Sequence, residues 1–343
     1  MIYLSGKAVI LKAALLLILV STSSFANAVE EKSSKLNSLS WKFLSESEAS
    51  HLLKEKKSMI TKEWTDTEKQ HLSNDLKTLR LKLPCLCLRV GKIGFARVKD
   101  IPSFGECKAA TTYQVVVISD HFFKSPEDEL STLAHEFVHR ADSGGQLAYS
   151  RRWIEFAEKN VVFSKRAGLE PSLKERLAIA MEFYIEGKKN FDRVNFERKI
   201  LPLLTDVSAR SLRLNRLLAL ANNEHSAHRY DSALRLYEQA NKLLPEAPTI
   251  LYGEACCKAS QHKDQEAIDL LDRASKVFQK NHIPIYDPMA TTVLLLQSSY
   301  FCERNKLVES LALLKSLEET QPSGKILATI QSIKKQCQRK ITP

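Results

Sequence analysis

The sequence predicts a mixed α+β domain, with a small sheet and several helices, over residues 40–205, followed by an all-helical repeat domain over residues 206–340. A run of β-branched residues just before a helical H-E-x-x-H segment favours the mixed fold in the first half. Leucine- and alanine-rich sequence, with residues that recur 34 positions apart, favours helical repeats in the second half. A chain of 343 residues is long enough for two such domains.

The first 28 residues are typical of a secretory signal peptide. Lys7 and Lys12 precede an apolar run at residues 13–20, and Ala26-Asn27-Ala28 fits a cleavage site. The run is too short to span a bilayer, and no later segment is apolar enough to do so. We therefore expect an exported protein, periplasmic or secreted after cleavage near Ala28, with no transmembrane segment and with residues 29–39 as a mobile lead-in.

The chain is basic, with a formal net charge of +11 at neutral pH. Because the basic residues are scattered, without an aromatic-interleaved cluster, the charge does not favour nucleic-acid binding. Acidic substrates or an anionic envelope surface would fit it equally well.

Seven cysteines all lie beyond the signal segment. In an exported protein they suggest one or two disulfides and at least one free thiol. Cys85 or Cys87 could pair with Cys107, whereas Cys256 and Cys257 are typical of small core residues in a helix.

Two helices are predicted to begin the first domain. Ser45–Glu48 precedes the first, and Thr65-Asp66 caps the second, whose leucines recur every three or four residues. Pro84 is expected to end the second helix. Alternating spacing then predicts strands at Cys85–Val90 and Gly94–Val98.

The H-E-x-x-H segment is the strongest functional signal in the chain. On a helix, His135 and His139 lie one turn apart on the same face, which is the spacing two imidazoles need to share a tetrahedral zinc ion. Glu136 could reach a metal-bound water as general base. Pro126–Glu129 and Gly144-Gly145 supply a start and a stop for this helix. A chance match of a five-residue pattern is the alternative.

A catalytic zinc ion needs a third protein ligand. Glu175-Arg176-Leu177-Ala178, followed by Phe183-Tyr184, resembles the downstream helix of gluzincin-type zinc metallopeptidases, in which the glutamate of an E-x-x-A pattern is that ligand. The resemblance implies a zincin-like α+β fold and one Zn²⁺ per chain, held by His135, His139 and Glu175. The small Ala178 would let the two helices approach closely.

Other roles for the acidic residues stay open. Ser172-x-x-Glu175 is also a capping box, in which Glu175 would only satisfy a backbone N–H. Glu182 and Glu186 share a helical face with Glu175 and are rival ligands, and Glu158 is a weaker one.

Asp142 lies on the same helical face as both histidines, and it could support a ligand, act as a ligand itself or be an ordinary helix-end residue. Gluzincins often place an acid at the position that Ile179 occupies here. A carboxylate that orients a metal-binding histidine must therefore come from elsewhere.

The resemblance implies hydrolysis of peptide bonds with Glu136 as general base. Tyr149, Tyr184 and His121 are candidates for the donor that stabilises the oxyanion. Thr112–Ser119 is the strongest predicted strand, and in such peptidases the corresponding strand is often an edge strand that pairs with substrate. An ordinary sheet strand is the alternative.

Internal repeats mark the second half, since Ala233 and Ala267 are 34 residues apart. Tyr230–Tyr237 closely resembles the core of the tetratricopeptide (TPR) repeat, Asp264–Ile268 matches it less fully, and Ser310–Pro322 can be a third unit after an insertion. The resemblance implies an array that binds a protein or a peptide. A plain helical bundle is the alternative.

These observations lead to two hypotheses. The first is an exported zinc metallopeptidase, with Glu136 as general base, whose TPR-like repeats recruit substrate or an envelope partner. The second is a non-catalytic envelope adaptor that acts through its repeats and carries a structural or degenerate metal site.

Overall fold

A computed structural model describes residues 41–53, 59–101, 108–111, 115–142, 145–160, 172–320, 322 and 324–341. The predicted signal peptide, the lead-in at residues 29–39 and Cys107 lie outside these residues. So do residues 112–114 of the predicted strand Thr112–Ser119, and Gly144. Within the described chain, no helix combines the length and the apolar character needed to cross a membrane.

A small mixed sheet forms one layer of the first half. Its four strands are β1 (Trp41–Phe43), β2 (Ile93–Arg97), β3 (Ala109–Thr111) and β4 (Val115–Ile118), in the spatial order β1-β2-β4-β3. The β1–β2 and β2–β4 pairs are parallel, and the β3–β4 pair is antiparallel. Strand β2 agrees with the predicted strand Gly94–Val98 to within one residue at each end.

Strand β4 lies in the interior of this sheet. It pairs with β2 on one side and with β3 on the other, and all four of its residues are buried. Continuous runs of valine and isoleucine suit a strand that is covered on both faces. The expectation that the strand at Thr112–Ser119 forms a sheet edge is therefore wrong for its described part, Val115–Ile118, and β3 is the outer strand on that side.

Helices surround the sheet in the first half. Their bounds are α1 (Glu46–Leu52), α2 (Asp66–Lys82), α3 (Pro84–Val90), α4 (Glu129–Ala141), α5 (Arg151–Asn160), α6 (Leu173–Glu186), α7 (Arg193–Lys199) and α8 (Leu201–Leu204), with short 3-10 turns at Phe122–Lys124 and Pro126–Asp128. The predicted caps are present, because Ser45 and Thr65 each accept a hydrogen bond from the backbone in a full capping box.

The predicted strand Cys85–Val90 is wrong, because this segment forms helix α3. Pro84 ends α2 as expected but also occupies the first turn of α3, where its missing N–H costs nothing. Leu83, Leu86, Cys87 and Val90 are all buried at spacings of three, four and seven residues. This is one face of a helix, and the alternation of Cys85 and Cys87 concealed it.

In the second half, the described residues form seven helices that are joined by short connections. Their bounds are α9 (Ala209–Ser226), α10 (Tyr230–Leu243), α11 (Pro248–Ser260), α12 (Asp264–Lys280), α13 (Pro288–Glu303), α14 (Leu307–Glu318) and α15 (Gly324–Ile341). The coarse prediction of a mixed domain followed by an all-helical one is confirmed.

The same turn recurs in three helix pairs, α9–α10, α11–α12 and α13–α14. The residue two positions before each second helix has a left-handed backbone, with φ of 58° at His228, 58° at His262 and 59° at Asn305. The N–H of the next residue donates to a carbonyl five residues earlier, at 2.8–2.9 Å. His228 and His262 are 34 residues apart, and the third turn is delayed by the insertion before α14.

Equivalent core positions also recur in the second helix of each pair. The fourth residue of each of these helices is fully buried, and these residues are Ala233, Ala267 and Ser310. Small residues there leave room for close packing. A small residue also lies between neighbouring pairs, where Gly253 of α11 faces Tyr237 of α10. A Cβ at Gly253 would lie 2.5 Å from the Tyr237 ring. Three units of one kind therefore make up most of the second half.

The two halves share a hydrophobic cluster. It joins residues of the first half to residues of α11, α12 and α13, and its members include Tyr149, Ile154, Leu173, Leu251, Leu271, Phe278 and Val293. Hydrogen bonds add to it: Nδ2 of Asn215 donates to the carbonyl of Ala141 at 2.9 Å, and Nδ2 of Asn281 donates to the carbonyl of Tyr149 at 3.1 Å. The boundary near residue 205 therefore separates two patterns of sequence and not two independent cores.

Six of the seven cysteines lie among the described residues, and all six are free thiols. The expectation of one or two disulfides therefore fails for these six. Cys257 is a buried core residue of α11, as predicted, and burial raises the pKa of its thiol to about 12.

Candidate metal centre

Helix α4 places the H-E-x-x-H residues between the sheet and helix α6. Leu133, Ala134 and Phe137 are at most 1% exposed and fix one side of α4 in the core. On the side of the sheet, the Thr111 hydroxyl of β3 donates to the carbonyl of Glu136 at 3.1 Å. The histidines are thereby held on a rigid helix that contacts both neighbours.

Helix α6 carries Glu175 in its first turn. The Ser172 hydroxyl caps this helix by accepting a hydrogen bond from the Glu175 N–H at 3.1 Å. Only this half of the predicted capping box is formed, because the Glu175 carboxylate points to α4 instead of to the backbone of Ser172. Ala178, three residues after Glu175 and on the same side of α6, is fully buried, and its small side chain suits close packing.

Possible ligand atoms of three residues converge between α4 and α6. Nε2 of His135 lies 3.1 Å from Nε2 of His139. Oε1 of Glu175 lies 3.3 Å from Nε2 of His135, and Oε2 of Glu175 lies 3.4 Å from Nε2 of His139. The structure thus brings together all three of the metal ligands predicted from the sequence.

The spacing of these atoms fits a tetrahedral zinc ion. With bonds of about 2.0–2.1 Å, neighbouring ligand atoms around such an ion lie about 3.3 Å apart. Two imidazole nitrogens and one carboxylate are also a usual donor set for a zinc site that keeps one position open. His135, His139 and Glu175 are therefore close enough together to share one zinc ion.

The charges of these groups depend strongly on one another. Burial disfavours both the imidazolium of His135 and the carboxylate of Glu175. The contacts of His135 with Glu175 and Glu182 nevertheless raise the pKa of the imidazole to about 10. For Glu175, the contacts with His135 and His139 outweigh burial and lower the pKa of the carboxyl well below its ordinary value. The negative charge of Glu175 therefore favours a positive charge beside it, either a proton on His135 or a bound cation.

Glu136, which follows His135 directly in sequence, is buried and has unused hydrogen-bonding capacity. Its side chain belongs to a residue that is 5% exposed, and its Oε2 atom has no hydrogen-bond partner among the described residues. A buried carboxylate oxygen without a partner is costly unless something binds it. A water molecule or a substrate amine next to the metal ligands would satisfy it.

Glu182 supplies the carboxylate next to a metal-binding histidine that gluzincins often carry at the position of Ile179. Its Oε1 atom lies 2.8 Å from Nδ1 of His135, although the two atoms are not aligned as in a straight hydrogen bond. Such a contact on the far nitrogen leaves Nε2 free to act as the ligand. The signal was present in the sequence, because Glu182 is seven residues after Glu175 and shares its helical face.

The other rival ligands lie outside this cluster. Glu186 pairs with Lys188 at 2.9 Å, and Glu158 is exposed on α5. Asp142 is buried and accepts hydrogen bonds from the N–H groups of Leu147 and Ala148 at 3.0 Å and 2.9 Å. It therefore organises the turn after α4.

The three candidate oxyanion donors have other contacts. The Tyr184 hydroxyl donates to Glu197 at 3.1 Å. Tyr149 is 4% exposed in the cluster shared with the second half. Nε2 of His121 lies 3.8 Å from a carboxylate oxygen of Asp100.

No family model matches the chain, and no curated protein or solved structure is similar enough to it to count as a match. Function is therefore inferred from the chemistry of the site.

Proposed function

We propose that this protein is an exported, zinc-dependent metallopeptidase with a zincin-like first half and TPR-like repeats. One observation carries the proposal: the atoms of His135, His139 and Glu175 converge at zinc-ligand spacing, with Glu136 on the same helix as the histidines. The Oε2 atom of Glu136 is buried and has no hydrogen-bond partner among the described residues, which supports a role for this carboxylate in moving a proton. A chance H-E-x-x-H match has no reason to meet a third ligand from another helix.

Each residue then has a distinct task. His135, His139 and Glu175 would hold one zinc ion, which supplies Lewis acidity for a carbonyl group and lowers the pKa of a coordinated water toward about 7. Glu136 accepts a proton from the attacking water and delivers it to the leaving amine. Glu182 holds the His135 ring in orientation.

The repeats have two tasks in this proposal. They support α6 through the shared hydrophobic cluster, and their outer surface recruits a protein or peptide substrate or an envelope partner. The signal-like residues 1–28 support export to the periplasm or the medium.

Substitution of Glu136 by glutamine tests the proposal against the adaptor hypothesis. Glu136→Gln should leave zinc binding unchanged, because Glu136 is not a ligand, and should lower the rate of hydrolysis of an unfolded protein substrate by about 10²–10⁴-fold. Glu158→Gln, on the exposed face of α5, is the matched control and should retain activity. Full cellular function in a Glu136→Gln strain would favour the adaptor instead.

A further inference from the structure

A second cluster of possible metal ligands lies at the other end of α4. His71 and Asp75 are one turn apart on α2, and Glu129 is the first residue of α4. Nε2 of His71 is 2.7 Å from Oε2 of Glu129 and 3.8 Å from Oδ2 of Asp75. One ligand atom from each residue lies within 4.8 Å of the other two.

Two carboxylate oxygens in this cluster are buried without a hydrogen-bond partner among the described residues. They are Oε1 of Glu129, whose side chain is 2% exposed, and Oδ2 of Asp75. An acidic residue in the first turn of a helix is ordinary, but a buried carboxylate oxygen with no partner is not. Burial raises the pKa of both carboxyls, and the charge of Asp75 raises that of Glu129 further. A cation bound between the two carboxylates would offset their mutual repulsion.

We propose that His71, Asp75 and Glu129 form a second divalent-cation site, which ties α2 to the first turn of α4. One imidazole nitrogen and two carboxylate oxygens are a donor set for zinc or a similar transition-metal ion, since imidazole is an unusual ligand for calcium or magnesium. The His71 side chain is 40% exposed, so the ion can enter from solvent.

This site is separate from the candidate metal centre described above. Glu129 precedes His135 by six residues, which is a rise of about 9 Å along a helix. The two sites also use different partner helices, because the first joins α4 to α6 and the second joins α4 to α2. All three residues of the second site would be ligands, which leaves none of them to act as a general base, so its role is to fix the start of the helix that carries both histidines.

The zinc content of purified, zinc-saturated protein tests the proposal. His71→Ala should lower the number of bound zinc ions by one relative to the unsubstituted chain. His51→Ala, which removes an exposed histidine from α1, is the matched control and should lower it by none. An unchanged zinc content in His71→Ala would overturn the proposal.

The double substitution His135→Ala/His139→Ala separates this site from the proposed peptidase centre. This variant should still bind one zinc ion, and zinc should raise its melting temperature by about 5 °C at saturation. Adding His71→Ala should abolish both effects. If the double variant binds no zinc although it is folded, the carboxylates share a proton instead and the second site does not exist.

Discussion

Oδ2 of Asp287 accepts a hydrogen bond from the backbone N–H of Leu173 at 3.0 Å. The other oxygen of this carboxylate accepts from the N–H of Met289 at 2.9 Å and so caps α13. One buried side chain of the repeat half therefore satisfies the first turns of two helices, one in each half. Because Leu173 is two residues before Glu175, this contact also fixes the end of α6 that carries the third metal ligand.

Loss of this carboxylate should destabilise the protein and weaken its metal site together. Asp287→Ala leaves the buried N–H of Leu173 and the partly buried N–H of Met289 without their acceptor, and we expect it to lower the free energy of unfolding by about 2–3 kcal/mol. Zinc affinity should also fall, since the start of α6 becomes mobile. Urea unfolding and a zinc titration measure the two effects.

Asp231→Ala is the control for Asp287→Ala. Asp231 lies in the first turn of α10, and its hydrogen bond with Gln261 is exposed, so the change should stay within about 0.5 kcal/mol. Equal destabilisation by both substitutions would show that the Asp287 contact does not join the halves.

Glu182 should tune the metal site without binding the ion. Glu182→Gln keeps the size of the side chain but removes the charge next to Nδ1 of His135. We expect zinc affinity to fall by about 10–100-fold. Glu186→Gln, one turn further on α6, removes only a contact with Lys188 and should leave zinc affinity unchanged. Equal affinities for the two variants would exclude the supporting role of Glu182.

Glu175 should matter more for zinc than Glu182 does. Glu175→Ala removes the carboxylate that faces both histidines, and the loss of zinc affinity at this site should exceed the roughly 100-fold upper limit for a supporting residue. Competition with a chelator of known affinity measures the difference. If affinity at the site is unaffected by this substitution and by Glu158→Ala alike, the third ligand is another residue.

The sequence could indicate that His135, His139 and Glu175 belong together, because helical spacing is a local property. His135 and His139 share a face at four residues, and Glu175 opens a helix whose cap is visible in the sequence. That the Glu175 carboxylate faces the histidines depends on the packing of α6 on α4, which no local pattern contains. The position of Glu182 behind His135 follows from the same packing.

The expectations about the fold that proved wrong have a similar origin. A six-residue segment such as Cys85–Val90 contains too little periodicity to separate a strand from a short helix. The interior position of β4 depends on its pairing with β2 on one side and with β3 on the other, and β3 has only three residues. The shared cluster of Tyr149, Leu173 and Leu271 is a long-range contact that joins two regions of different sequence pattern.

Buried Arg97 should make the stability of the first half sensitive to acid. Its guanidinium, in a residue 2% exposed, pairs with Glu68 at 2.7 Å and with Asp120. Burial alone would raise the pKa of both carboxyls. For Glu68, hydrogen bonds from Arg97 and Thr65 outweigh burial, and for Asp120 those from Lys62 and Arg97 do, so both values lie below the ordinary 4.5 and 3.8.

A carboxylate whose pKa is lower in the folded state binds its proton less readily there than in the unfolded chain. Its contribution to stability is therefore present in full above the ordinary pKa values and is lost as the pH falls through the folded ones. Arg97→Met should lower the free energy of unfolding at neutral pH by about 3–5 kcal/mol, because it leaves the partly buried Glu68 carboxylate without its cation and leaves Asp120 with Lys62 alone. The variant should also lose less stability than the unsubstituted chain between neutral pH and the folded pKa values.

Urea unfolding at a series of pH values measures both effects. Arg151→Met is the control, because Arg151 forms an exposed pair with Glu155, and it should change neither the stability nor its pH dependence. Parallel pH profiles for Arg97→Met and the unsubstituted chain would mean that Arg97 does not set the acid sensitivity.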